Sequence, residues 1–274
     1  MILLLIALGI SGCASQRAST KSSVMDYLYP KTVETYVEPS IPNLTIPLRV
    51  GIAFVPESTS GSYAQNFWTG KQYSSALTEA HKNQLLQQVA DNFKELDVVS
   101  DIEVIPTAYL TPQGSFANLE QIKTMYGIDV IALVSYDQVQ FTDESMLSLS
   151  YWTIVGAYVV SGEKNDTSTL IDTVVYDIDS KKLLFRAPGT SKVVGSATPI
   201  NLSQELRADS LEGFEQATNA MIGNLKLQLE KFKASLKSNP ETANVTFREG
   251  YRGGALGGLA LTFMVFFIAL FRKK

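Results

Sequence analysis

From residue 48 onward the apolar positions fall into short continuous runs and helical stripes, set apart by turn residues. The run 48–55 (LRVGIAFV) is short, rich in β-formers and closed by Pro56, so it predicts a buried strand. Residues 74–96 predict a helix, with Leu77, Leu86, Val89, Phe93 and Leu96 on one broad face. A second strand is predicted over 102–110, a short helix over 118–126 stopped by Gly127, and a third strand over 129–141. This strand–helix–strand–helix–strand order argues for crossovers and a sheet that begins parallel. The rhythm then changes: 147–160, 168–178 and 182–194 predict three strands joined by turns at 162–166 and 177–181. The last stripe, Leu211, Phe214, Met221, Leu225, Leu229, Phe232 and Leu236, predicts one long amphipathic helix over 205–236 lying on the sheet. A coiled coil would need more heptads. The expected class is therefore α/β, a mixed β-sheet with flanking helices and a long C-terminal amphipathic helix. A C-terminal transmembrane segment is expected to follow.

The two ends do not fit a globular pattern. Residues 1–13, MILLLIALGISGC, give an apolar run from Ile2 to Ile10, then Ser11 and Gly12, and then the only cysteine, Cys13. Residues 255–271 form an apolar run of 17, near the short limit for a membrane span. Arg272, Lys273 and Lys274 follow as a cytoplasmic stop, and Gly253-Gly254 precede it at the outer boundary. Glycines destabilise a helix, so the outer end of this span unwinds easily, as an intramembrane protease requires. The pairs Gly253/Gly257 and Gly254/Gly258 also have the spacing of a close-packing dimer face.

Composition narrows the classes. Hydrophobic content of 45%, charged content of 18% and a net charge of −4 suit a globular core and give no basic stripe for nucleic acid. A single cysteine excludes an intrachain disulfide and a Cys-rich zinc site. Serine, threonine and then Pro30, Pro39, Pro42 and Pro47 mark the stretch after Cys13 as an extended tether that wraps onto the domain.

Ile10-Ser11-Gly12-Cys13 resembles a bacterial lipobox. The resemblance implies cleavage before Cys13, with a diacylglycerol on its thiol and an acyl chain on its new amine. The absence of Asp after Cys13, where Ala14 and Ser15 stand, resembles the pattern sent on to the outer membrane. Gly-Gly, an apolar helix and a basic end resemble the GlyGly-CTERM sorting signal, whose processing enzyme is rhombosortase, a rhomboid-type intramembrane protease. Together the two ends resemble a rhombotarget lipoprotein, with cleavage implied near Gly253-Gly254-Ala255. Two anchors are redundant unless one is temporary, and this cut would leave lipid as the sole anchor. The resemblance implies as partners the lipoprotein maturation enzymes, the protease and membrane lipid. It implies no cofactor beyond the acyl groups. The implied order is a signal peptide (1–12), a lipidated tether (13–46), a periplasmic-type α/β domain (47–237), a polar stalk (238–252) and a sorting signal (253–274). The domain's element order is similar in outline to periplasmic domains of curli-secretion and cell-wall-synthase-activator lipoproteins.

For the domain, no catalytic site stands out among the residues, and the expectation is a non-enzymatic role that binds or supports another envelope protein. His81 is the only histidine and falls in a Lys/Gln-rich helix. There is no G-x-S-x-G elbow and no G-x-x-x-x-G-K phosphate loop. Asp172, Asp177 and Asp179 cluster, as do Asp143 and Glu144, and alternation would set Asp177 and Asp179 on one strand face for metal or acid–base work. The competing reading is a hairpin turn whose Asp bonds nearby amides, and it is preferred. Tyr151, Trp152 and Tyr158 read as sheet packing. Two alternatives stay open: a doubly anchored inner-membrane protein dimerising through its glycines, and an envelope enzyme using Asp172, Asp177 or Asp179.

Overall fold

The structure is a computed structural model and describes residues 16–31, 40–57, 64–65, 72–73, 77–144, 163–198 and 200–249. Strand β1 (Gln16–Lys21) leads into the short helix α1 (Val24–Leu28), where the Ser23 hydroxyl accepts the Asp26 N–H. Strands β2 (Asn43–Ile46) and β3 (Leu48–Phe54) flank Pro47, and a small pair, β4 (Ala64–Gln65) and β5 (Gln72–Tyr73), follows. Helix α2 (Glu79–Phe93) starts where the Thr78 side chain caps it. Strand β6 (Val99–Val104) is followed by helix α3 (Ser115–Tyr126), which ends on Gly127 at φ 66°, a left-handed position that glycine holds without strain. Three long strands come next, β7 (Val130–Glu144), β8 (Glu163–Asp177) and β9 (Lys182–Ala197). Helix α4 (Leu202–Ser238) and strand β10 (Asn244–Phe247) are the last described elements.

The main sheet runs β6-β3-β7-β8-β9. Strand β3 is parallel to both β6 and β7, as the two predicted crossovers require, and β7, β8 and β9 are antiparallel. Strand β8 occupies one edge of β7 along its whole length. The other edge takes two partners in turn, β3 from Val130 to Val134 and β1 from Asp137 to Thr142. The first half of the sheet is covered on both faces. Ile52, Phe54, Val130 and Tyr136 pack with Leu86, Val89, Phe214 and Met221 of α2 and α4. Ala53, Ile131, Leu133 and Val174 pack with Leu28, Phe116, Leu119 and Ile122 of α1 and α3. Burial on both sides is why 48–55 reads as a continuous apolar run.

Among the described residues the second half of the sheet is covered by α4 alone, and that interface is polar. Gln138 Nε2 donates to Thr169 Oγ1 (2.7 Å) and to the Ser210 carbonyl (3.0 Å), and Ser210 Oγ donates back to Gln138 Oε1 (2.6 Å). Gln140 Nε2 repeats the pattern two residues along the strand, donating to Thr167 Oγ1 (3.1 Å) and the Leu206 carbonyl (2.8 Å). The helix lies so close that a Cβ on Gly189 would fall 2.1 Å from the Ala217 carbonyl. Opposite this layer the sheet faces solvent through Asp137, Phe141, Lys164 and Lys192.

Several expectations shift. The strand expected over 102–110 lies at Val99–Val104. Ile105 still donates to the Ile52 carbonyl (2.9 Å), but Pro106 has no N–H to offer and a 3-10 turn, Thr107–Tyr109, follows. Helix α3 begins at Ser115 rather than 118, and α4 exceeds 205–236 at both ends. The seam of α4 packs on the sheet, with Phe214, Met221 and Leu225 buried. The strand expected over 147–160 lies outside the described residues. The segments read as tether and stalk carry structure: β1 pairs with β7, and β2 pairs in parallel with β10. Among the described residues no helix is long and apolar enough to cross a membrane; the span expected within 253–274 lies outside them.

Candidate functional site

The processing residues Ile10, Ser11, Gly12 and Cys13, with Gly253, Gly254, Ala255, Arg272, Lys273 and Lys274, lie outside the described residues, as do Tyr151, Trp152 and Tyr158. The three aspartates are described and do not converge. Asp172 faces the open side of the sheet, where Arg186 Nε donates to both of its carboxylate oxygens at 2.8 Å from the neighbouring strand. Asp177 ends β8 and is buried, accepting the Ser180 N–H (3.0 Å) and the Ser180 hydroxyl. That is the turn-stabilising role. Asp179 lies beyond the strand in the turn and pairs with Lys123. The alternation that would align Asp177 with Asp179 fails because β8 stops at Asp177. Among the described residues, no three His, Cys, Asp or Glu side chains gather as a metal site. His81 sits in the first turn of α2, its ring Nδ1 2.9 Å from Thr78 Oγ1. Asp143 and Glu144 are the last two residues of β7.

A polar cluster that the sequence did not reveal stands at the carboxyl end of β3. The Lys82 ammonium is nearly fully buried, 3.2 Å from Glu57 Oε1 and 3.1 Å from Glu79 Oε1. The Tyr136 hydroxyl donates to the same Glu57 oxygen at 2.6 Å. Burial, then the bond and charge of Glu57, push the Tyr136 phenol well above its ordinary range. Ser22 fixes the strand beside it, donating its N–H to the Tyr136 carbonyl (2.8 Å) and accepting the Tyr136 N–H on Oγ (3.1 Å). Glu57, Lys82 and Tyr136 are too far apart in sequence for any short motif to join them. Only the crossover topology brings them to one strand end.

Helix α1 separates two grooves at this end of the sheet. One, of about 560 Å3, lies over the open sheet face and is lined by Lys21, Met25, Asp137, Asp172, Leu183 and Arg186. The other, of about 400 Å3, lies across α1 and is lined by Tyr27, Tyr29, Lys31, Glu57 and Gln113. Met25 and Leu183 are exposed at the first groove, at 59% and 45%. Ion-paired charge beside exposed apolar side chains suits contact with another polypeptide.

At the opposite end, Asp129 holds the C-terminal strand to the body. Arg49 donates to Asp129 Oδ1 (2.8 Å) and Oδ2 (3.2 Å), and Arg248 donates to Oδ2 (2.5 Å). Arg248 also donates to the Pro47 carbonyl (3.1 Å) and, through its N–H, to that of Ile46 (2.8 Å). Burial raises the Asp129 carboxyl, but the bonds and charges of Arg49, with the charge of Arg248, outweigh it and hold the group below its ordinary value.

No family model and no curated protein matches this chain. Among solved structures it is similar to a neuraminyllactose-binding hemagglutinin homolog from Helicobacter pylori, at 11% identity and a TM-score of 0.36, over 73% of this chain and 97% of that one. It is also similar to a protein of family DUF330 from Xanthomonas campestris, at 10% identity and a TM-score of 0.31, over 76% and 95%. A third is the PelC dodecamer from Paraburkholderia phytofirmans, at 10% identity and a TM-score of 0.27, over 75% and 99%. Likeness at these scores carries no function over to this chain.

Proposed function

We propose that this chain is a lipid-anchored protein of the bacterial envelope, acylated at Cys13, cut near Gly253-Gly254 by a rhombosortase-type protease, and acting there as a binding or assembly component. The observation that carries the reading is β1. It begins at Gln16, three residues after Cys13, and is paired along β7 from its first residue. A thiol acylated at Cys13 would therefore seat the domain directly on the lipid surface. The groove beside α1 supports binding over catalysis. Its Asp172 is engaged by Arg186, and Asp177 and Asp179 are committed to a turn and to Lys123. Cut at the glycines, the protein would travel with lipid as its only anchor to the outer membrane or the cell surface.

An epitope added after Lys274 tests both ends at once. The reading predicts that wild-type protein in the envelope fraction lacks the epitope. It also predicts that Cys13→Ser, which cannot take the diacylglycerol, keeps residues 1–12 on its chain, as intact mass would show. An epitope that persists on the wild-type protein would show the C-terminal helix to be a permanent anchor and bring the dimer reading forward.

A further inference from the structure

We infer that the uncut protein is held flat on the membrane by its two ends, and that C-terminal cleavage frees it to stand away from the lipid. The inference rests on the anchors proposed at Cys13 and at residues 253–274. Its geometric basis is where the two ends leave the body. Gln16 pairs with Thr142, two residues from the end of β7, and β1 stays in register to Lys21↔Asp137. Arg17 lies over the Phe141 ring at 5.8 Å and strengthens that end. The other exit is fixed at the opposite end of the same strand. Arg248 is bonded to Asp129, the residue before β7, and β10 pairs with β2, which joins β3 through Pro47 alone. At about 3.3 Å per residue, the strand from Asp129 to Thr142 separates the two exits by about 40 Å.

The connections to the anchors are much shorter than this. Three residues join Cys13 to Gln16 and reach at most about 10 Å, and five join Arg248 to Gly253 and reach at most about 17 Å. With both anchors in one bilayer, neither end of β7 can rise far, and the strand lies within about 25° of the membrane plane. An upright domain would demand about 40 Å from one of these connections. Cutting near Gly253-Gly254 removes one hold and leaves the other unchanged. The Gln16 end stays at the lipid, while the end bearing Asp129, Arg248, β2 and β10 becomes free to swing outward. The protease would then act as a release of posture as well as of location. The surfaces around Asp129 and Arg248 would be offered to partners only after the cut.

Because Cys13 carries lipid, a cysteine introduced elsewhere is the one free thiol for a fluorophore. Asn244→Cys in β10 and Lys164→Cys in β8, which pairs with Asp143 at the anchored end, are labelled in full-length acylated protein, in phosphatidylethanolamine–phosphatidylglycerol vesicles that carry an acceptor lipid. The same labels go into a chain ending at Glu249 and into a full chain with about 30 Gly/Ser residues inserted after Glu249, long enough to bridge about 30 Å. The expected result is at least a twofold fall in energy transfer from Asn244→Cys in both altered chains, with Lys164→Cys, beside the Gln16 exit, little changed. Equal transfer from Asn244→Cys in all three would overturn the inference. Intact mass of the input separates the two failures. An unacylated Cys13 refutes the anchor reading itself, whereas acylated protein with unchanged transfer refutes the posture alone.

Discussion

Gly189 lies where the sheet meets α4 and Gly223 on the outer side of that helix, and the two face opposite demands. A Cβ on Gly189 would meet the Ala217 carbonyl at 2.1 Å and the Met221 amide at 2.4 Å, both backbone atoms of α4 that cannot step aside. Gly223 lies on the exposed side of α4 with nothing within 4 Å. Gly189→Ala should therefore destabilise the fold by about 2–3 kcal/mol through overpacking. Gly223→Ala should stabilise it by about 0.5–1 kcal/mol through helix propensity. Urea unfolding of the two variants measures the difference, and equal midpoints would contradict the close approach of helix and sheet. At this scale the sequence was readable where chemistry is local. The Asp177 turn could be seen because its partner, Ser180, is three residues away. The cluster of Glu57, Lys82 and Tyr136 could not, since its members meet only once α2 and β7 are docked. The glutamines of β7 were equally hidden: a polar side chain in a strand reads as solvent-facing unless the carbonyls of a crossing helix are known to lie over it.

Among the elements, those that bury apolar surface were legible and those held by backbone pairing were not. Strand β3, helices α2 and α3 and the seam of α4 follow from runs and stripes of apolar residues. Strands β1 and β10 carry little such signal. Of Arg17–Lys21 in β1, Ala18 and Thr20 are buried, and every residue of β10 is exposed, so both depend on ladder bonds to β7 and β2. For β10 the ladder is backed by Asp129, and this gives a pH dependence with a definite sign. Because the folded state holds the Asp129 carboxyl below its ordinary value of about 3.8, its contribution is complete above that pH and is lost as pH falls through the lower folded value. Hydrogen exchange of the Arg248 amide and its β10 neighbours should be slow at pH 5 and accelerate only below about 3.8. Asp129→Asn should be fast throughout. Identical protection in the two proteins would remove Asp129 as the clamp.

Among its described residues the molecule is a mixed sheet with both faces covered over one half and one face open over the other. The parallel beginning and antiparallel end of that sheet were legible in the order of elements, because crossovers and tight turns leave different sequence spacings. That the N-terminal tether wraps onto the domain was legible in its prolines; that it does so as a paired strand from Gln16, and that the stalk is clamped at Arg248, was not. The strand and the clamp fix both exits about 40 Å apart along β7. The central claim is that one of the two anchors is lipid and the other is removed. Intact mass of the mature protein from envelope fractions tests it most directly. The account predicts a chain that begins at triacylated Cys13 and ends near Gly254. A chain ending at Lys274, or an unmodified Cys13, would contradict it.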